Sequence, residues 1–184
     1  MTFHIAAQDA DFEQQTDVTA ELERARAWIT SNPELDITAY NRLSRAEGGP
    51  WRSATTERAL VFYPHPNTDG VTPLGQRIQA LIIEENPDWR FAGSDLLSTG
   101  PSADDFGYPA VAFAMKDDRK GDFEAFTDAH VERPMAIVIN NEIATMPNIE
   151  SKLPGGGIIT GGIGGFTAQE AVSYTHLTLP TNGC

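Results

Sequence analysis

The segment Arg133-Pro-Met-Ala-Ile-Val-Ile-Asn-Asn-Glu-Ile-Ala-Thr145 carries the clearest structural pattern in the chain. Residues 135–139 are apolar at every position, which is typical of a central strand that is covered on both faces. Asn140 and Asn141 follow, and asparagine tolerates the left-handed backbone that a two-residue hairpin turn requires. We therefore predict a strand in the middle of a sheet, followed by a hairpin into residues 142–145.

The residues before this segment predict a strand and then a helix. Between residues 110 and 115, alanine alternates with a bulky apolar side chain, which is the period of two expected for a strand. Phe123 and Phe126 are three residues apart and share one face of a helix that we place at about residues 120–131. Pro134 cannot continue that helix, so the helix must end before it.

The residues after the hairpin predict one more strand and one more helix. Ile158-Ile159-Thr160 is a short run of strand-forming residues. Thr167-Ala-Gln-Glu170 has the pattern of a capping box, so a helix is expected to begin there. The order strand, helix, hairpin, strand and helix describes an α+β fold with a mainly antiparallel sheet and helices packed on one side.

The first half of the chain has weaker patterns. Residues 1–12 show no periodicity, and we expect them to be loosely structured, as chain ends usually are. Apolar residues from Val18 to Ile29 recur at helical spacing and predict an amphipathic helix, and a shorter helix is expected around residues 37–43. We therefore interpret residues 1–57 as a mainly helical N-terminal region.

Residues 58–106 are interpreted as a connecting α/β segment. The run Ala59-Leu-Val-Phe-Tyr63 consists of residues that favour strands. The following apolar pattern is ambiguous, because residues 74–82 fit one face of a helix while residues 80–83 fit a short buried strand equally well. Both alternatives remain open from sequence.

Composition excludes several classes of function. The chain has 184 residues, of which 26 are acidic and 13 are lysine or arginine, and its formal net charge is −13. Such a charge repels phosphate backbones and anionic lipids, so no nucleic-acid partner is expected. No apolar run approaches the roughly 20 residues that span a bilayer, and the segment as given is expected to be soluble. Cys184, the single cysteine, can neither close an internal disulfide nor complete a metal site.

Glycines at residues 155–165 offer the most tempting chemical motif. Glycine-rich loops that lead into helix N-termini bind phosphate groups, but this segment has neither a Gly-Lys-Ser/Thr motif nor the spacing of a dinucleotide fingerprint. We therefore expect these glycines to serve tight turns and close backbone contacts. The alternative is a stand-alone α+β regulatory domain that binds a small anion at this loop.

No catalytic, cofactor-binding or metal-binding residue is predicted. The four histidines lie far apart in sequence without partners at ligand spacing, and no serine lies in a Gly-x-Ser-x-Gly context. Asp104-Asp105 and Asp117-Asp118 are adjacent pairs, whose side chains point apart in regular structure, so we interpret them as solvated loop charges. The three tryptophans form no visible stacking platform, and core or domain-contact roles are expected for them. We therefore expect a protein that is not an enzyme.

Several short motifs together resemble the SecD family of protein-export membrane subunits. The residues that carry this resemblance are Gly107-Tyr-Pro-Ala-Val-Ala-Phe, Phe126-Thr127, Arg133-Pro-Met-Ala-Ile-Val-Ile139, Pro147-Asn-Ile149, Gly157-Ile-Ile-Thr-Gly161 and Phe166-Thr-Ala-Gln-Glu-Ala171. Trp89-Arg-Phe-Ala-Gly-Ser-Asp-Leu96 also resembles the approach to this block in some SecD and fused SecD/SecF chains. Residues 107–171 are therefore interpreted as a SecD-like α+β unit, SecD head-like or ferredoxin-like in fold.

The resemblance implies a fragment of the first extracytoplasmic domain, which lies between two membrane helices of an inner-membrane subunit. Such a subunit works with SecF, the SecY channel and the SecA motor, and it uses the proton gradient to help move an unfolded exported polypeptide. The expected role of this piece is weak contact with that polypeptide through an apolar surface near residues 107–171. Sequence does not indicate which residues form the surface.

Two positions depart from the pattern of the family, and the end of the chain departs altogether. The family commonly has Asp-Gly where this chain has Asn140-Asn141, and a glycine where this chain has Glu132. Residues 172–184 resemble an in-frame translation of a sequencing adapter. We therefore interpret them as a non-native tail.

Overall fold

A computed structural model describes residues 1–12, 16–53 and 58–160. Within these ranges the chain forms short helices and strands. The strands are β1 (Thr2–Ile5), β2 (Ala59–Pro64), β3 (Ile78–Ile83), β4 (Leu96–Ala103), β5 (Pro109–Met115), β6 (Met135–Ile139), β7 (Glu142–Thr145) and β8 (Gly156–Thr160). The α-helices are α1 (Val18–Ser31), α2 (Ile37–Arg42), α3 (Leu74–Arg77) and α4 (Lys120–Ala129). None of the helices in the described ranges is long and apolar enough to cross a bilayer.

The described strands form three sheets, in the orders β1-β6-β7, β2-β3 and β4-β5-β8. The pairs β2-β3, β4-β5, β5-β8 and β6-β7 are all antiparallel. This confirms the predicted α+β class with antiparallel pairing, although the strands are divided among sheets where the sequence suggested one. The chain also divides into two compact units. Among the described residues, one consists of those within 3–90 and 135–146, and the other of those within 1–2, 91–134 and 147–160.

The first of these units is built on the two faces of the β2-β3 hairpin. Leu60 and Phe62 pack with buried residues of α1 and α2, including Ala25 and Tyr40. Alternate residues on the other face, such as Val61, pack with the β6-β7 hairpin. The hairpin is therefore covered on both faces, which explains why almost every position of β2 is buried.

The β6-β7 hairpin confirms the prediction made from residues 133–145. All five residues of β6 are buried, and β6 lies in the middle of its sheet. Asn140 and Asn141 have φ angles of 51° and 65°, the left-handed values that a two-residue turn requires.

The helices of the N-terminal region begin at capping residues. The Asp17 carboxylate accepts a hydrogen bond from the Ala20 N–H at 2.9 Å, and the Asp36 carboxylate accepts one from the Ala39 N–H at 3.1 Å. The helical interpretation of residues 1–57 holds only in part, because residues 2–5 form a strand. The expectation that residues 1–12 are loosely structured was therefore wrong.

The second unit contains the β4-β5-β8 sheet with α4 against one of its faces. Phe123 of α4 meets Phe113 of β5 edge-to-face, with ring centroids 5.6 Å apart. Phe91 packs edge-to-face on both Phe123 and Phe126, at 5.2 Å and 5.4 Å. Aromatic rings prefer this edge-to-face arrangement, and these rings form the buried layer between helix and sheet. The predicted pairing of Phe123 and Phe126 on one helix face is confirmed.

The structure resolves one open alternative and shortens one predicted helix. The ambiguous segment at residues 74–83 is a four-residue helix, Leu74–Arg77, followed directly by the strand Ile78–Ile83. The helix predicted to reach residue 131 ends at Ala129. The capping box at residues 167–170 and the tail at residues 172–184 lie outside the described residues.

Candidate functional site

The outward face of the β4-β5-β8 sheet is the first part of the candidate site. Strand register places Gly100, Ala112 and Ile158 opposite one another, so the side chains of Ala112 and Ile158 lie on the same face, beside the bare backbone of Gly100. That face is the one turned away from Phe113 and α4, because successive residues of a strand point to opposite faces. Ile158 is 54% exposed, whereas its neighbour Ile159 is buried. The face therefore carries small residues and the exposed side chain of Ile158, but it is not open along its whole length, because Ala110 on the same face is fully buried.

The turn between β4 and β5 is the second part of the site, and its backbone is firmly held. The Asp104 carboxylate accepts hydrogen bonds from the N–H groups of Phe106 at 2.9 Å and Tyr108 at 2.8 Å. The Asp104 N–H donates to the Tyr108 carbonyl at 3.0 Å, and the Gly107 N–H donates to the Asp104 carbonyl at 2.9 Å. Gly107 has a φ of 83°, which glycine adopts without strain.

This turn exposes two aromatic side chains. Phe106 is 86% exposed and Tyr108 is 67% exposed. Tyr108 directly precedes β5 and has the same alternation as Ala112, so it belongs to the outward face that also carries Ile158. We call Phe106, Tyr108 and Ile158 together the apolar surface. Tyr108 and Ala112 are four residues apart, about 13 Å along the strand, which is the span of a short extended peptide.

The sheet that carries the apolar surface has no ionisable side chain. The strands Leu96–Ala103, Pro109–Met115 and Gly156–Thr160 contain only apolar, glycine, proline, serine and threonine residues. The turn adds the carboxylates of Asp104 and Asp105, and no lysine or arginine occurs between residues 91 and 115. Asp105 is exposed to solvent. The surface is therefore uncharged along the sheet and acidic at the turn.

The described part of the glycine-rich segment fits the structural interpretation of its glycines. A Cβ atom on Gly156 would lie 2.6 Å from the Phe113 carbonyl oxygen, so only glycine allows the two backbones to approach this closely. The Gly155 carbonyl accepts a hydrogen bond from the Met115 N–H at 2.8 Å, and Gly155 has a φ of 82°. These glycines shape the start of β8. Residues 161–165 lie outside the described residues.

The histidines with described positions take part in structural contacts. The Nδ1 atom of His130 lies 2.8 Å from the Phe126 carbonyl oxygen, and its ring packs on Phe126. The Nδ1 atom of His4 lies 3.0 Å from the Ile82 carbonyl oxygen, and burial lowers the pKa of His4. Burial and the Arg77 charge lower the pKa of His65. Among the described residues, no three histidine, cysteine or acidic side chains come together as a possible metal site; His176 lies outside these residues.

One member of each acidic pair, Asp104 and Asp117, is engaged in local contacts. Asp117 pairs with Lys120 at 2.7 Å, and this hydrogen bond and charge lower the pKa of the Asp117 carboxyl. Asp104 holds the turn described above.

Two of the three tryptophans pack against other aromatic rings. Trp28 packs against Tyr40 with ring centroids 5.4 Å apart, and Trp51 packs against Phe12 with ring centroids 4.8 Å apart.

Sequence reasoning missed two features. It did not single out the exposure of Phe106 and Tyr108, although Asp104, Asp105 and Gly107 around them are residues that favour a turn. It also did not single out Glu21, which is buried and accepts two hydrogen bonds from the Arg45 guanidinium at 2.8 and 2.9 Å. No local sequence signal marks that pair, because its partners are 24 residues apart.

Comparisons with known proteins agree with the resemblance in sequence. Residues 73–177, more than half of the chain, match the family described as SecDF, P1 head subdomain. The chain is 29% identical over 151 residues to the protein translocase subunit SecD of Aquifex aeolicus, covering 82% of this chain and 27% of that protein. It is 38% identical over 86 residues to SecD of Rhodobacter capsulatus, covering 46% of this chain and 15% of that protein.

Solved SecDF structures are also similar. A crystal structure of SecDF in a super-membrane-facing form aligns with 96% of this chain and 18% of that chain, at a TM-score of 0.46 and 17% identity. A second structure, of a membrane component SecDF that enhances protein export, aligns with 96% of this chain and 91% of that chain, at a TM-score of 0.42 and 16% identity. The chain spans less than a third of either curated relative. Because the family match covers more than half of the chain, the chain belongs to the family of SecDF P1 head subdomains.

Proposed function

We propose that this chain is the part of a SecD-type export subunit that contacts unfolded polypeptide on the extracytoplasmic side of the inner membrane. Membership of the P1 head family supports a role in protein translocation. The observation that carries the contact role is the apolar surface, where Phe106, Tyr108 and Ile158 are more than half exposed. Exposed apolar side chains that lie close together are typical of sites of protein contact, and Phe106 and Tyr108 project from one short turn.

Contact with an exported chain must be weak and tolerant of sequence. A subunit that handles many polypeptides cannot depend on specific side-chain pockets, because specificity for one sequence lowers affinity for others. The outward face of the β4-β5-β8 sheet suits this requirement. Its small residues, such as Gly100 and Ala112, let an extended backbone approach, while Tyr108 and Ile158 offer non-directional apolar contact.

The partners follow from the family. In this proposal the complete subunit works with SecF beside the SecY channel and the SecA motor, and the proton gradient drives its cycle. The head takes part without chemical catalysis, since its contribution is to hold and release the emerging chain. This role requires no cofactor.

Photocrosslinking of a stalled export intermediate tests the proposal. A photoreactive residue is placed at Tyr108 in a full-length SecD subunit that carries this head, and the matched control carries it at Ala125, an exposed position of α4 in the same unit. We expect strong labelling of the stalled polypeptide from position 108 and weak labelling from position 125. The proposal would be refuted if positions 108 and 125 labelled the stalled polypeptide equally, and no more strongly than an unrelated exported control domain does.

A further inference from the structure

We infer that the apolar surface selects, among unfolded segments, those in which apolar or aromatic residues lie beside lysine or arginine. This inference rests on the proposed function, because it names the class of polypeptide that the surface binds. It combines the two exposed aromatic residues of the β4-β5 turn with the carboxylates of the same turn.

The turn presents its aromatic side chains in a fixed arrangement. The Oδ1 atom of Asp104 accepts hydrogen bonds from the backbone N–H groups of Phe106 and Tyr108. These two bonds fix the backbone on both sides of Gly107. The backbone that carries the exposed side chains of Phe106 and Tyr108 is therefore already ordered before a polypeptide binds. A pre-organised site loses less entropy when it binds, so even a weak contact with an apolar side chain becomes useful.

Charge decides which apolar segments are favoured. The strands of the sheet carry no ionisable side chain, so the carboxylates of Asp104 and Asp105 are the charges closest in sequence to the aromatic residues. Asp105 is exposed and adjacent to Phe106. A lysine or arginine next to the bound apolar residue would approach Asp105, whereas a glutamate or aspartate would be repelled.

The aromatic rings add to the same preference. The faces of Phe106 and Tyr108 are exposed, and an ammonium or guanidinium group over an aromatic face is attracted to it. Arginine and lysine also bring apolar stems that pack on such rings. Segments that combine cationic and apolar residues therefore make apolar contact and are also attracted by charge at the turn. Purely apolar segments make only the apolar contact, and acidic segments are repelled by the carboxylates.

Binding of three fluorescent peptides to the full 184-residue chain tests this inference. The peptides share the same unfolded, apolar-rich backbone and differ in carrying lysine and arginine, serine, or glutamate between the apolar residues, and anisotropy reports their affinities. We expect the basic peptide to bind most tightly. We also expect its affinity to fall as salt rises from about 0.05 to about 0.5 M, because exposed charges are screened over that range.

Matched variants locate the effect. Asp105→Asn is expected to weaken binding of the basic peptide about threefold, as the loss of one exposed charge contact would, and to leave the serine peptide unchanged. Asp128→Asn removes an exposed charge from α4 in the same unit and is expected to change neither affinity. Phe106→Ser is expected to weaken binding of both the basic and the serine peptides, and of the basic peptide more, because the lost ring also attracts its cations.

The outcomes separate the inference from the function on which it rests. If the peptides bind with equal affinity that salt does not change, the charge preference is refuted while polypeptide contact stands. If Asp105→Asn and Asp128→Asn weaken binding equally, the effect comes from the net charge of the chain and the inference is likewise refuted. If no peptide binds and crosslinking from Tyr108 also fails, both the inference and the proposed function are overturned.

Discussion

Replacing Glu132 by glycine is expected to stabilise the protein. Glu132 has a φ of 68°, in the left-handed region that residues with a Cβ atom adopt at a cost. The resemblance to SecD also favours glycine at this position, directly before the Arg-Pro motif. Glu132 is exposed, and its backbone N–H donates to the Ile149 carbonyl at 2.8 Å. Glycine would keep that hydrogen bond and remove the conformational cost.

The magnitude follows from two opposing terms. Left-handed backbone costs an ordinary residue about 1–2 kcal/mol relative to glycine. Glycine also gives the unfolded chain more conformational freedom, which offsets about 0.4–1 kcal/mol of that gain. We therefore expect Glu132→Gly to raise the free energy of unfolding by about 0.5–1 kcal/mol.

Denaturant unfolding of the full chain measures this change, and hydrogen exchange of the Ile149 amide reports it locally, because that amide donates to the Arg133 carbonyl at 2.9 Å. Glu132→Ala is the matched control, since it removes the same carboxylate but keeps a Cβ atom at positive φ. We expect the alanine variant to be no more stable than the parent chain. If glycine and alanine gave equal stability, the gain would come from removing charge, and the argument from backbone conformation would fail.

Three further changes test the fold at other positions. Asn141→Gly, at a φ of 65° in the β6-β7 turn, is expected to raise the free energy of unfolding by about 0.5 kcal/mol in denaturant melts, and a loss of stability would contradict the turn geometry. Gly156→Ala is expected to lower the free energy of unfolding by about 1–3 kcal/mol, because the added Cβ would lie 2.6 Å from a backbone carbonyl oxygen. Gly100→Ala in the same sheet is the control, because its Cβ would meet nothing within 4 Å. Burial lowers the pKa of His4 in the folded protein below its ordinary value of 6.5. As the pH falls below 6.5, the histidine is protonated in the unfolded chain before it is protonated in the folded protein. The free energy of unfolding should therefore fall between pH 6.5 and the lower pKa of the folded state. His4→Gln should flatten that part of a pH series of unfolding measurements, and an unchanged slope would assign the loss to other groups such as His65.

The elements that sequence predicted correctly are those whose signals are local. The hairpin at Asn140-Asn141 follows from a run of apolar residues and two residues that tolerate positive φ, and both are visible within a dozen positions. Helix α1 begins at the capping residue Asp17, and its apolar residues recur with helical spacing. Such signals predict the observed structure because local propensity and burial in the folded protein favour the same conformation.

Predictions failed or stayed open where the answer depended on distant partners. Residues 74–83 fit a helix face and a buried strand equally well, and the pairing of Ile78–Ile83 with Ala59–Pro64 across the chain decided for the strand. Strand β1 has only four residues, too few to establish a period, and its place beside β6 joins residues more than a hundred positions apart. The division of strands among three sheets has the same origin, because register between distant strands is set by tertiary packing.

The candidate site shows why function was harder to locate than fold. Tyr108 stands in a motif that resembles SecD, and alternation along β5 predicts a face made of alanines, but neither indicates that Tyr108 and Ile158 are exposed on that face. That depends on which face α4 covers, and the contact of Phe123 with Phe113 settles the choice. Once Phe113 is fixed inward, Tyr108 and Ile158 must point outward by alternation and register. A helix packed on the opposite face would bury Tyr108 and expose Phe113, so the surface proposed for polypeptide contact is a consequence of how α4 packs against the sheet.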